Sequence, residues 1–474
     1  MPAADRVAER GDTRKSGQGR RTGPGTGPVR RLRLPAKLRN LELFLLIIAC
    51  GINAAAIVLV QLGAMGHVDL TLVYLGAGLS ALVIGMHIAL RFVAPQADPF
   101  LLPVATVLNG IGIAEIYRID IHFADSGWNS AGIKQIAWSA IAIVCAILVV
   151  VIIRNHRVLQ RYTYIFGLAA LILLLLPMLP GIGRTIYGAR VWIGIGPFSF
   201  QPGEIAKLCL AVFFAGYLVQ ARDSLSMVGK KFLGIRFPRA RDLGPLLIVW
   251  LMAMAVIVFQ RDLGTGLLIF GLFLVMLYVA TARISWVLLG LVLIVGGAVL
   301  ASRLLTYVND RFANWLDPFS QKVYDAQGGS FQLVQGLFGL AHGGLIGTGL
   351  GQGQPWVTPV SQSDYIIASL GEELGLAGLF AIFALYLVFV ARGLRIGFAG
   401  QDDFGKLLAV GLSFTVALQC FIVIGGVTRV IPLTGLTTPF LAAGGSSLVA
   451  NWIIVALLLR LSDTVRNQPR LVVS

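Results

Sequence analysis

Charge is scarce in this chain. Only 13% of its 474 residues are Asp, Glu, Lys or Arg, whereas an ordinary soluble domain carries about 25%. A soluble enzyme of this length is therefore excluded. Cysteine is scarce too. Cys50, Cys145, Cys209 and Cys420 fall inside apolar runs, far apart and without CxxC spacing, so neither a disulfide framework nor a zinc site is indicated. His67, His87, His122, His156 and His342 are scattered, with no His-x-x-x-His pair on which to build a metal site. No visible repeat points to a solenoid. No strand-like run precedes a GxGxxG or P-loop pattern, so a nucleotide cradle is not expected.

What fills the chain is hydrocarbon. The sequence is 57% hydrophobic with a mean hydropathy of +0.83, and its apolar runs recur at about twenty residues, enough to cross a bilayer core of about 30 Å. The pattern predicts an all-α polytopic membrane protein of about twelve transmembrane helices, near residues 41–62, 70–92, 99–117, 134–153, 160–179, 201–220, 243–260, 263–281, 284–302, 365–391, 406–427 and 437–460.

The formal net charge is +16, and residues 1–39 contribute half of it. That tail is rich in Gly, Pro and Arg and lacks an apolar face, which predicts disorder. It has no apolar h-region or cleavage site and does not read as a cleaved signal peptide. No aromatic-rich basic fold accompanies the charge, so nucleic acid is not the expected partner. Membrane lipid is. Basic residues cluster at 154–161, 222–241, 391–406 and after Arg460, in alternate loops. The positive-inside rule then places both termini in the cytoplasm and the long loop 303–364 outside.

Ionisable side chains within spans cost about 2.5–3.5 kcal/mol each on insertion scales, so each requires a reason. In RVWIGIGPFSFQPGEIAK (190–207), Pro202 starts a helix and Glu204 and Lys207 follow at i, i+3 on one face. Arg190 and Trp192 upstream suit an interfacial anchor. In QRDLGTG (260–266), Asp262 interrupts two apolar runs. Its neighbour Arg261 does not face it, so its partners are expected on other helices. All these charges lie toward the membrane face on which loop 303–364 opens.

That loop is more than a linker. VYDAQGGSFQ (323–332) carries Asp325, an acid that in isolation reads as solvated surface. FQLVQGLFGLA (331–341) has Phe331, Val334, Leu337, Phe338 and Ala341 at helical spacing, an amphipathic helix for the interface. GGLIGTGLGQG (343–353) holds six glycines, which suit tight turns or close backbone approach to a ligand. Asp364 fits the start of a helix, and Glu372 and Glu373 sit deeper in the same span. IPLTGLTTPFLAAGGSSL (431–448) breaks the apolar pattern with Pro432, Pro439 and a Gly-Gly-Ser-Ser that includes Ser446. It suits either tight helix packing or a broken helix lining a cavity.

Taken in order, RVWIGIGPFSFQPGEIAK, QRDLGTG, YDAQGGSFQLVQ with GGLIGTGLGQG, SDYIIASLGEELGL and PLTGLTTPFLAAGGSSL resemble the SEDS family, the RodA/FtsW type of bacterial cell-wall polymerase. The departures are Gly203, where the family has QPSE, and Arg261, where it has QPDLGT. The resemblance implies a ten-helix core over residues 96–462, containing the extracytoplasmic loop 303–364. Two additional N-terminal helices (40–95) precede the core and a short tail (463–474) follows it. The extended N-terminus is similar to that of actinobacterial members of the elongation branch; a division-specific member is the alternative.

The implied activity is polymerisation of lipid II, the undecaprenyl-pyrophosphate-linked disaccharide-pentapeptide, in the bacterial cell membrane. The resemblance places the general base at Asp325, and Arg190 and Lys207 suit the pyrophosphate leaving group. Glu204 and Asp262 orient those cations or hold a divalent cation (Mg or Mn), and Trp192 packs against lipid or sugar. Asp364, Glu372, Glu373 and Ser446 form a second tier. Gly328 and Gly329 read as slack that lets the loop meet two bulky substrates. The chain supplies no transpeptidase of its own, so a class B penicillin-binding protein is the expected partner. A lipid II flippase and a non-catalytic scaffold are the competing classes.

Overall fold

The computed structural model describes residues 34–125, 127–186, 188–195, 198–226, 231–232, 235–236 and 244–467. The expected disordered tail lies outside the described residues up to position 33, as do most of the basic loop 222–241 and the chain after 467.

Every expected span coincides with a helix. In chain order these are α1 (Leu34–Met65), α2 (Leu70–Val93), α3 (Leu101–Phe123), α4 (Ala131–Ile152), the short α5 (Arg157–Arg161), α6 (Thr163–Leu175), α7 (Pro202–Ser226) and α8 (Gly244–Ala255). There follow α9 (Leu263–Thr281), α10 (Ile284–Leu304), α11 (Thr306–Leu316), α12 (Gln321–Tyr324), α13 (Phe331–Gly343), α14 (Ile366–Ala399), α15 (Asp403–Val427) and α16 (Gly445–Asn467). Among the described residues, ten helices are long and apolar enough to cross a membrane. The expected spans 160–179 and 243–260 are shorter apolar helices, Thr163–Met178 and Leu247–Gln260. This is a multi-pass α-helical membrane protein.

Two classes of helix follow from hydropathy and burial. On α3, α15 and α16 most residues are buried, so these helices form the middle of the bundle. On α1 and α10 the buried stripe is narrow, and Phe44, Ile47, Val292 and Val295 point outward. Such faces are stable only against hydrocarbon, the solvent that a bilayer provides. Central packing uses aromatic edges: Phe440 meets Phe389 and Trp452 in T-shaped contacts at 5.7 and 6.3 Å.

Short loops are fixed by side-chain caps. Asp69, Ser130 and Asp402 accept hydrogen bonds from the first-turn amides of α2, α4 and α15.

Three departures from the sequence reading matter. First, β1 (Gly183–Ile186), β2 (Ala189–Ile195) and β3 (Phe198–Phe200) form a three-stranded antiparallel sheet. The alternation in RVWIG marks it: Val191 and Ile193 are buried while Arg190 and Trp192 share the opposite, half-buried face. Second, the last helix starts at Gly445 rather than near 437 and runs on to Asn467. Third, loop 303–364 contains α11 and α12 as well as the expected α13. The exposed apolar side of α13 carries Phe331 and Phe338, but Val334, expected with them, turns inward beside Leu333 and Gly336.

Candidate functional site

The stretch 428–444 is non-helical backbone inside a membrane protein, tolerated only if its carbonyls find protein donors. They do. Arg311 Nη1 donates to the Leu433 carbonyl at 2.7 Å, Gln419 Nε2 to Thr437 at 2.8 Å and Gln135 Nε2 to Ala442 at 3.0 Å. Tyr386 donates to the Pro439 carbonyl. The segment is a loop between α15 and α16 rather than part of a helix.

Gln419, which holds the Thr437 carbonyl, also connects this segment to the charged residues of α7. Pro202 opens the helix, and one turn in, Lys207 Nζ lies 2.6 Å from Glu204 Oε2. Lys207 Nζ donates to Gln419 Oε1 on α15 at 2.8 Å. Both charged residues are buried, Glu204 at 5% and Lys207 at 2% exposure, so the pair is held by neighbours on two helices rather than by water. Ser446 Oγ accepts the Gln201 amide at 2.8 Å just before α7 begins, and Thr437 Oγ1 donates to Ser447 Oγ at 3.1 Å.

The QRD interruption is a helix end followed directly by a helix start. A π-helical turn (Val256–Gln260) leads to Arg261 in the left-handed conformation, φ 56°. That reversal frees Asp262 to cap α9 through the Thr265 amide at 2.9 Å. Arg261 turns away and lies 5.9 Å above the Tyr307 ring. The cation acting on Asp262 comes from another element, as the sequence requires. It is Arg311 of α11, which also acts on Asp364. Burial pushes the Asp364 carboxyl above the usual carboxylate range, against the pull of its Ser363 hydrogen bond and the Arg311 charge. Sequence reasoning missed Arg311; NDRFANW sits in the loop 303–364 and carries no membrane-cost signal.

Not every predicted residue joins this cluster. Arg190 Nη2 makes a long 3.4 Å bond to the Leu179 carbonyl, and its buried Nε lacks a partner. Trp192 sits opposite Arg184 in the β1–β2 register. Asp325 follows α12 and is exposed, its carboxylate accepting from Gln321 Nε2 at 2.5 Å. Among the described residues no hydrogen bond or ion pair joins Asp325 to Lys207.

The two glycines beside Asp325 are not slack. Gly328 has φ 74°, and a Cβ on Gly329 would stand 2.0 Å from the Val323 carbonyl oxygen. The turn is pinned by the Ser330 amide on Val323 and by Ser330 Oγ on the Pro318 carbonyl. Tyr324 reaches α13 through Gln335 and the Phe331 ring.

Glu372 and Glu373 belong to a separate group. α14 is broken at Gly375, φ 68° and ψ −174°, and the glycine-rich loop lies along the break. Leu376 and Ala377 amides donate to the Gly344 and Leu345 carbonyls at 3.0 Å, while Thr348 and Gly349 amides donate to Glu372 and Glu373 carbonyls. The Glu373 carboxylate accepts from the amides of Gly351 at 2.8 Å and Gly353 at 3.2 Å, and from Arg118 Nε at 3.2 Å. Glu372 accepts from the Gln354 amide and pairs with His342. The glycines therefore bring the loop backbone close against the broken helix. Arg118 and the fully buried Glu115 beside it were not picked out from sequence.

Among the described residues no three His, Cys, Asp or Glu side chains form a group that could hold a metal ion. Glu204 faces Lys207 and Asp262 caps α9, so these two carboxylates do not by themselves fit a divalent cation, and no step is routed through one. A cavity of about 480 Å³ between α1, α2 and α3 is mainly apolar and stands apart from the charged cluster.

The model of the cell cycle protein family FtsW/RodA/SpoVE matches residues 99–467. The chain belongs to this family. The peptidoglycan glycosyltransferase RodA of Mycobacterium tuberculosis is 46% identical over 440 residues, 92% of this chain and 93% of its own. Stage V sporulation protein E of Bacillus subtilis is 33% identical over 373 residues, 77% of this chain and 96% of its own. The crystal structure of Thermus thermophilus RodA, 22% identical, covers 80% of this chain and 100% of its own with a TM-score of 0.54, which shows the shared fold. The family match places the Glu204–Lys207–Asp262 cluster and the 303–364 loop in the family core. α1 and α2 lie outside it.

Proposed function

We propose that this chain is a peptidoglycan glycosyltransferase that polymerises lipid II into glycan strands during cell-wall elongation. The observation that carries the chemistry is the buried Lys207, held between Glu204 and Gln419 beneath an irregular, carbonyl-rich segment. An ammonium has three donors; Gln419 accepts one while Glu204 pairs with the charge, which leaves donor capacity for an anionic oxygen. Burial strengthens its attraction to a pyrophosphate relative to water. Arg190, with its unpartnered Nε, is the second cation suited to that leaving group.

The reaction joins two lipid-linked glycans. The 4-hydroxyl of the acceptor GlcNAc attacks the anomeric carbon of the MurNAc at the head of the growing chain, and a C–O bond forms. The bond from that carbon to undecaprenyl pyrophosphate breaks, with inversion. The hydroxyl proton goes to Asp325, whose exposed carboxylate is accessible to a bulky acceptor and oriented by Gln321. Glu204 fixes Lys207, and Asp262 fixes the start of α9. The enzyme sits in the plasma membrane with both termini cytoplasmic, so that Asp325 faces outward. A class B penicillin-binding protein supplies the cross-linking.

The test is direct. Purified protein with lipid II and an active partner should produce a ladder of glycan strands on a gel; a full reaction without ladders would reject polymerisation. Arg311 gives a second check. Arg311→Ala strips the Leu433 carbonyl of its donor and removes the cation acting on Asp262 and Asp364. The expected loss of glycan synthesis is about 10²-fold, the effect of deleting one preorganised charge from such a site. Arg311→Lys, which keeps charge but not the planar fork, should recover part of it.

A further inference from the structure

The family match begins at residue 99, and nothing in the proposed chemistry uses α1 or α2. Yet one end of α1 touches the glycine-rich loop backbone to backbone. A Cβ at Gly63 would stand 2.4 Å from the Leu350 carbonyl oxygen and 3.1 Å from the Gly351 Cα. From the other side, a Cβ at Gly351 would be 2.7 Å from the Val60 carbonyl oxygen, and Gly351 itself has φ 83°. Two glycines thus let a loop and a helix touch backbone to backbone. Gln352 Nε2 closes the contact on the Gly63 carbonyl at 2.8 Å, and Leu350 packs against the apolar cluster that includes Ile57, Val60, Leu72 and Ile113.

The opposite edge of the same loop satisfies the break in α14. Gly351 donates to Glu373 while its backbone rests on α1, so one residue joins the two helices. The short arm Ile366–Leu374 carries Asp364 just before its start. It also packs α13, which directly follows the Asp325 turn.

We infer that α1 is a brace for the α14 break: the Gly63–Gly351 contact seats loop 343–353 and thereby positions the arm bearing Asp364 and the loop bearing Asp325. Gly63 and Gln352 are positioning residues. The catalytic consequence rests on the polymerase reading; the brace itself does not.

The experiment compares full-length Gly63→Leu, Gln352→Ala and Gly51→Leu. A Cβ at Gly51, also on α1, would meet nothing within 4 Å, so Gly51→Leu reports the cost of altering α1 alone. Two readouts are taken, hydrogen–deuterium exchange by peptide and initial rates of glycan synthesis against lipid II concentration. Gly63→Leu should speed exchange across 343–377 by about tenfold or more while α15 and α16 keep wild-type protection. Its kcat should fall about tenfold or more with KM unchanged, as for misplacement of catalytic groups. Gln352→Ala should act in the same direction by about two- to threefold, and Gly51→Leu should match the wild type in both.

Wild-type exchange over 343–377 in both Gly63→Leu and Gln352→Ala would overturn the brace. Faster exchange with an unchanged kcat would overturn its positioning role. If Gly63→Leu does not fold, Gln352→Ala decides, since it deletes only one bond from an exposed side chain. If the wild type makes no glycan, the polymerase reading fails, and the exchange data, which need no substrate, still decide the brace.

Discussion

Asp325→Asn should lower the rate of glycan synthesis by about 10²–10⁴-fold, the usual contribution of a general base, while lipid II binding stays within about twofold. The substitution is nearly isosteric and keeps an acceptor for Gln321, so the pinned turn between Val323 and Ser330 should survive. What it removes is basicity. Asp325→Glu keeps the carboxylate and should retain partial activity. The measurement is the initial rate of ladder formation beside a lipid II binding isotherm. Asp325→Asn working at the wild-type rate would move the base elsewhere, with Asp364 the first alternative. The absence of a contact between Asp325 and Lys207 in the free protein does not decide this, because catalytic contacts commonly tighten only once substrate is bound.

The second large effect is at the buried pair. Lys207→Met leaves Glu204 without its partner among buried groups, and breaking such a pair by removing one partner costs about 3–5 kcal/mol. The unfolding midpoint in detergent should fall by several degrees and synthesis should cease. The double variant Glu204→Gln with Lys207→Met should recover most of the lost stability, because no buried charge remains without its partner. It should recover none of the activity, because the cation is gone. Recovery of both would reduce the pair to a structural role. Stability that does not return in the double variant would mean that Gln419 and its neighbours, rather than Glu204, set the cost.

The helical layout was readable because membrane insertion is governed by local composition. A run such as that in α15 must span, whatever its neighbours, and a charge inside a run such as Glu204 or Asp262 must find a partner. The start of α7 at Pro202 and the interruption at Asp262 were visible for the same local reason. The β1–β3 sheet was less visible. Its strands are short and embedded among apolar residues, where a period of two is easily lost. The start of α16 was misplaced because Leu441, Ala442 and Ala443 continue the apolar pattern of the helix that follows. Only side chains from other helices, Gln135, Gln419 and Tyr386, decide for the loop by satisfying its carbonyls.

By itself, then, the sequence determined a multi-pass helical protein with a few expensive charges and a structured loop, because hydropathy and charge cost are properties of single segments. The tertiary structure alone decided which charges meet. It paired Lys207 with Glu204 and Gln419, brought Arg311 to Asp262 and Asp364, and withdrew Glu372 and Glu373 into the broken α14. It also set Gly63 against Gly351, some 290 residues apart in the chain, a contact that exists only because neither residue has a side chain to prevent it.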